Sequence, residues 1–142
     1  MKTIIKVMAA ASLFLAVVGC KSTPKYNLTD GEWVMTAWYD NNGEERMVTQ
    51  NRPTMKFEEA TVTGNAGCNQ FMGRYEAKEK DAIKIDMGGM TLKMCMDMEV
   101  ENRMVTEMPN VTSYKIDGNH LSLYNAQNKE LFRFGNTVKK EE

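Results

Sequence analysis

The sequence has one histidine, His120, and that scarcity removes much of catalytic and metal chemistry. Zinc sites draw on several His or Cys ligands, which a chain with three cysteines in all cannot spare. His120 follows the turn Asp117-Gly118-Asn119, where an imidazole is ordinarily solvated, and no serine has the strand-to-helix setting of a nucleophile elbow. Carboxylates are plentiful, yet no pair stands out as general acid and base. Positive charge is not in excess either. Eighteen Lys and Arg face nineteen Asp and Glu, for a net charge of −1, without the basic stripe of a nucleic-acid binder. Long hydrophobic runs are scarce too. Val7 to Val18, interrupted only by Ser12, would rise about 18 Å as a helix, short of the roughly 30 Å hydrocarbon core of a bilayer. The expectation is a protein that is not an enzyme, needs no cofactor, holds no metal and binds no nucleic acid.

What the chain does have begins with an address. Lys2 and Lys6 precede the apolar run, which ends in Val17-Val18-Gly19-Cys20. A basic start, a short apolar stretch and a small residue before the cut make a secretory signal over residues 1–19. An ordinary signal with an incidental cysteine is the plainer alternative. Val-Val-Gly-Cys resembles the bacterial lipobox, in which the cysteine is acylated and the signal is cleaved before it. That resemblance implies a lipid-anchored protein of the bacterial cell envelope, held on a membrane through acylated Cys20. Two or three acyl chains at about 0.8 kcal/mol per buried CH₂ make such an anchor nearly permanent. Lys21 rather than Asp after the cysteine resembles an outer-membrane sorting signal. Residues 20–29 then form the acylated N-terminus and tether, 30–135 one domain, and 136–142 a polar tail. Loss of Lys2 and Lys6 moves the net charge from −1 to −3.

The body alternates in short runs punctuated by turn formers, the pattern of an antiparallel β protein. Strands are predicted over Glu32–Tyr39, Arg46–Thr49, Thr54–Glu58, Thr61–Gly64, Phe71–Ala77, Ala82–Asp86, Val111–Ile116, Leu121–Tyr124 and Glu130–Phe134. In the first, Trp33, Met35, Ala37 and Tyr39 share one face and Val34 and Trp38 the other. One stretch departs from the rhythm. From Asp97 to Met108, Met98, Glu101, Met104, Val105 and Met108 recur at helical spacing. Asp97 is placed to cap the start, Glu99 and Glu101 suit the positive end of the helix dipole, and Pro109 ends it. The fold class is mainly β: a small antiparallel barrel-like domain or strongly curved sheet, with one α-helix near residues 97–108 covering an opening.

Two stretches carry a family resemblance. Around the second cysteine the chain reads Gly64-Asn65-Ala66-Gly67-Cys68-Asn69-Gln70-Phe71-Met72-Gly73-Arg74-Tyr75. Around the third it reads Thr91-Leu92-Lys93-Met94-Cys95, shortly before the helix. These closely resemble the META domain, also called HslJ-like, which pairs G-N-x-G-C-N-x-F-x-G-x-Y with a later T-x-M-x-C. Lys93 stands where that family commonly has Arg before the methionine, and Met94 directly precedes Cys95 where the family pattern has one residue between them. Tyr114, Ile116, Leu121 and Leu123 match its ending. The resemblance implies a lipocalin-like β-barrel shape and a disulfide between Cys68 and Cys95. An oxidising compartment would favour that bond, and two free buried thiols are the alternative. Gly64, Gly67 and Gly73 are read as structural, at bends or bulges. The rival, a phosphate-cradling loop, lacks the strand-loop-helix setting.

Methionine is abundant. Met87, Met90, Met94, Met96 and Met98 crowd into one segment. Thioethers beside a thiolate could hold Cu(I), but flexible methionines filling an irregular core is the better reading. The family resemblance implies a non-catalytic envelope module concerned with interaction or stress tolerance, its partner an envelope protein or ligand that the sequence does not specify. The alternative is a barrel that binds a small hydrophobe.

Overall fold

The computed structural model describes residues 25–140; the predicted signal and Cys20 lie outside the described residues. Among the described residues nine strands form one antiparallel sheet: β1 (Glu32–Tyr39), β2 (Glu45–Met47), β3 (Thr54–Glu58), β4 (Thr61–Asn65), β5 (Gln70–Ala77), β6 (Ile83–Met90), β7 (Val111–Asp117), β8 (His120–Asn125) and β9 (Glu130–Asn136). The strand order is β6-β5-β4-β3-β1-β9-β8-β7, with β2 paired to the far end of β1. The sheet curls into a half-barrel. Its two outer strands come together where Ala82 bridges Ser113 and the Tyr114 N–H donates to the Asp81 carbonyl at 2.9 Å.

Alternation explains which side faces in. Met55 and Phe57 on β3, Ile83 and Ile85 on β6, Leu121 and Leu123 on β8, and Phe132 and Phe134 on β9 are all buried. Lys56, Glu58, Lys84 and Asp86 between or beside them point to water. Trp38 departs from simple alternation. The β1–β9 register shifts between Met35 and Ala37, so Met35 lies opposite Phe134 and Trp38 opposite Phe132. One extra residue turns Trp38 to the inner face, where strict period two puts it on the face opposite Trp33. β6 also runs four residues past its predicted end, through Gly88 and Gly89, because β5 supplies partners as far as Met90.

Each end of the curl has a cover. Helix α1 (Glu99–Glu107), continued by a 3₁₀ turn over Met108–Asn110, lies across one end and buries Glu101, Met104 and Met108. It starts two residues later than predicted. Asp97 does not cap it as the N-cap residue, but its Oδ1 accepts the Glu99 N–H at 3.0 Å. Pro109 sits inside the 3₁₀ turn. At the opposite end, Tyr26 and Leu28 are buried. The Leu28 carbonyl accepts the Trp33 indole N–H at 2.8 Å, and Tyr26 packs edge-on against the Trp33 ring. The Tyr26 hydroxyl donates to the Val138 carbonyl at 2.9 Å. These residues had been assigned to the tether and tail. They belong to the packed domain, since an indole N–H turned inward needs a buried acceptor.

Candidate functional site

The two family-like stretches meet at the helix end of the molecule. Strand β4 leads into a turn in which the Asn65 side chain accepts the Gly67 N–H at 2.7 Å and Gly67 takes a φ of +125°, a region side chains avoid. Cys68 and Asn69 follow, and their main-chain N–H groups both donate to Glu101 Oε2, at 2.9 and 2.6 Å. The Asn69 side-chain amide donates to Glu101 Oε1 at 2.6 Å. Glu101 is 5% exposed, so three donors meet one buried carboxylate. Burial alone pushes this carboxyl up. The Asn69 side chain, the two main-chain N–H groups and the positive charge of Lys93 outweigh it and hold the group below its ordinary value.

Asn69 also grips the segment after β6. Its Nδ2 donates to the Lys93 carbonyl at 3.0 Å, and its Oδ1 accepts the Lys93 N–H at 2.7 Å and the Thr91 hydroxyl at 2.9 Å. Thr91 adds a main-chain bond to the Gln70 carbonyl at 3.0 Å. Cys95 is joined to Cys68 by a disulfide, with the Cα atoms 6.1 Å apart. The strap from Thr91 to Met96 is thus fastened at 91, 93 and 95. The whole strap lies exposed on the surface, Thr91, Lys93 and Cys95 included, and the residues between these fastenings carry apolar side chains into solvent. Leu92 and Met94 are 95% and 92% exposed and Met96 is fully exposed. This corrects the expectation that the clustered methionines fill the core. Met87, Met90 and Met98 are half-buried, while Met94 and Met96 stand in solvent. With Cys95 in a disulfide, no thiolate stands between them to hold copper.

The remaining motif residues support the site from below. Phe71 and Tyr75 are buried on the inner face of β5, and Tyr75 meets Phe57 edge-on at 4.9 Å between ring centres. Of the bend or bulge expected at Gly64 and Gly73, the strand registers show no bulge at either residue. A Cβ on Gly64 would overlap the Thr54 carbonyl, and one on Gly73 the Asp86 carbonyl, so close strand approach demands glycine at both. His120 is exposed at the start of β8. Sequence reasoning missed the part played by Glu101, although its position between Met98 and Met104 on the apolar face was the available signal. It also missed that the backbone of Lys93 joins the site, its N–H and carbonyl both bonded to the Asn69 side chain.

The inside of the curl is filled by Trp33, Phe57, Phe132, Phe134, Met35 and Met55, all fully buried. A concavity of about 660 Å³ lies on the outside between Tyr26 and the β7–β8 hairpin, with Asp81, Lys115 and Asp117 in its polar wall. A smaller, mainly apolar groove of about 290 Å³ runs between β6 and α1, lined by Ile85, Met87, Met90, Val105, Met108 and Pro109.

The META domain family model matches residues 26–138. No curated protein sequence matches the chain. Three solved structures share the fold. An NMR structure of a protein from Burkholderia xenovorans is 19% identical with a TM-score of 0.64, the match covering 98% of this chain and 100% of that one. A crystal structure of a DUF4847 family protein from Bacteroides vulgatus is 18% identical with a TM-score of 0.55, covering 80% and 96%. A further NMR structure is 21% identical, with a TM-score of 0.58, covering 76% and 90%.

Proposed function

This chain belongs to the META domain family, and from that premise we propose that it is a non-catalytic lipoprotein of the bacterial envelope that docks a protein partner on its strap. The observation that carries the reading is the stripe Leu92, Met94 and Met96, held out in water by a buried carboxylate, an asparagine and a disulfide. Apolar side chains fixed in the open without contributing to the core are the material of an interaction surface. The stripe lies at the helix end, and the chain enters from the opposite end through Tyr26 and Leu28. An anchor at Cys20 would leave at most five residues before Tyr26, about 18 Å of extended chain, and would turn the strap away from the anchoring membrane.

A photo-crosslinking residue at position 94, with the same residue at exposed Lys84 as control, tests this in the envelope of the living cell. The reading expects one discrete protein adduct from position 94 and none from position 84. No adduct from position 94, or the same adducts from both, contradicts it. The groove between β6 and α1 favours a second reading, a small apolar ligand, although its volume lies at the bottom of the roughly 300–1,000 Å³ range of ligand sites. Saturable binding of a fluorescent fatty-acid probe, abolished by Val105→Glu, would favour that reading instead.

A further inference from the structure

Methionines in this protein span the whole range of exposure, with Met47 and Met72 at 67% and Met87, Met90 and Met98 half-buried. Met35, Met55, Met104 and Met108 are completely buried, whereas Met94 and Met96 lie in full contact with solvent. We propose that Met94 and Met96 are a reversible oxidation site, converted to sulfoxides by peroxide-class oxidants while the core methionines stay reduced. In the step, a thioether lone pair attacks one oxygen of hydrogen peroxide and a sulfur–oxygen bond forms as the O–O bond breaks. With one proton transfer, the second oxygen leaves as water. Sulfur gives up two electrons and the peroxide accepts them.

The fastening of the strap makes the pair reactive. Bonds at Thr91, Lys93 and Cys95 hold the strap on the surface, where every residue from Thr91 to Asp97 is exposed, and so keep both thioethers in solvent. The neighbouring sulfurs, Cys68 and Cys95, are already in a disulfide and do not compete as thiolates. Oxidising a buried methionine forces a polar group into packed surroundings, but a sulfoxide at 94 or 96 points into water and leaves the fold alone. Sulfoxides are returned to thioethers by methionine sulfoxide reductases, so the site can cycle. Oxidation would also turn the apolar stripe polar. That consequence rests on the docking reading above, whereas the assignment of the site does not.

The test is a hydrogen peroxide time course on the full-length protein in detergent, followed by peptide mass spectrometry and a thermal melt of each sample. Met94 and Met96 are expected to gain oxygen at least about tenfold faster than Met35, Met55, Met104 and Met108, and ahead of Met47 and Met72, with the melt unchanged and the oxygen removed by reductase. The double variant Met94→Leu, Met96→Leu is expected to lose the fast phase while every other methionine keeps its rate. Rates at 94 and 96 no higher than those of the core set, or of Met47 and Met72, would overturn the proposal. So would a melt that collapses as the fast phase proceeds.

Discussion

Glu101 shows how much can rest on one side chain. It collects three donors from Cys68 and Asn69 and thereby sets the turn from which the strap is held. Glu101→Gln keeps the shape but turns an amide N–H₂ toward groups that are themselves donors. Hydrogen bonds to a charged, buried acceptor are worth about 1.5–3 kcal/mol each, and the loss in stability is expected at about 2–4 kcal/mol at neutral pH in a denaturant melt. The pH dependence follows from the lowered pKa of this group. Its contribution is fully present above the unfolded carboxyl value of about 4.3 and is lost as pH falls through the lower folded value. The gap between the native protein and Glu101→Gln should therefore narrow below pH 4, and a constant gap from pH 7 to pH 3 contradicts the assignment. The sequence held one signal of burial, a glutamate on the apolar face between Met98 and Met104, and none of the partners. A glutamate in the first turn of a helix has a sufficient explanation in the dipole, and its true partners lie 32 and 33 residues away. Gly73 was legible as special but for another reason. Its substitution by Ala places a methyl group against the Asp86 carbonyl and is expected to cost more than about 2 kcal/mol.

At the scale of elements, most strands announce themselves through period-two patterns with Asn, Asp and Gly between, as at Thr54–Glu58, where the predicted and observed bounds coincide. The misses have physical causes. Trp38 is misplaced by a bulge that no local pattern reveals, because the shift is created by pairing with β9. The strap misled for the opposite reason. Its methionines look like core residues until Asn69 and the disulfide claim the positions between them. The segment before β1 was read as tether from its polar composition. If Leu28 lies in the core, Leu28→Ala should lower stability by about 2–3 kcal/mol. A tether position would change it by no more than about 0.5 kcal/mol. A urea melt of this single variant separates the two.

The whole molecule is a curled sheet capped at both ends, with a disulfide across the helix end that closes a 27-residue separation. In the chain-entropy account that cross-link stabilises by about 3.5 kcal/mol, a large part of the roughly 5–15 kcal/mol typical of a domain. Reduction should lower the melting temperature and free the strap while the β-sheet circular dichroism persists at low temperature. An unchanged melt on reduction contradicts that role. The proposed lipid anchor is tested separately: Cys20→Ser should remove the acyl mass and move the protein from membrane to soluble fractions, without altering the melt. The β character, the helix and the cysteine pairing were open to a reader of the sequence, because each is written in a local pattern or a family motif. The outward stripe was not, since it depends on contacts between segments distant along the chain.

The central claim is that the strap is a fixed platform for Leu92, Met94 and Met96. Residue-resolved amide hydrogen exchange of the disulfide-bonded protein tests it most directly. The account predicts alternation, with the Thr91 and Lys93 amides protected at least about a hundredfold more than those of Leu92 and Met94, and with the Lys93 protection lost in Asn69→Ala. Uniformly fast exchange from Thr91 to Met96 in the native protein would contradict it.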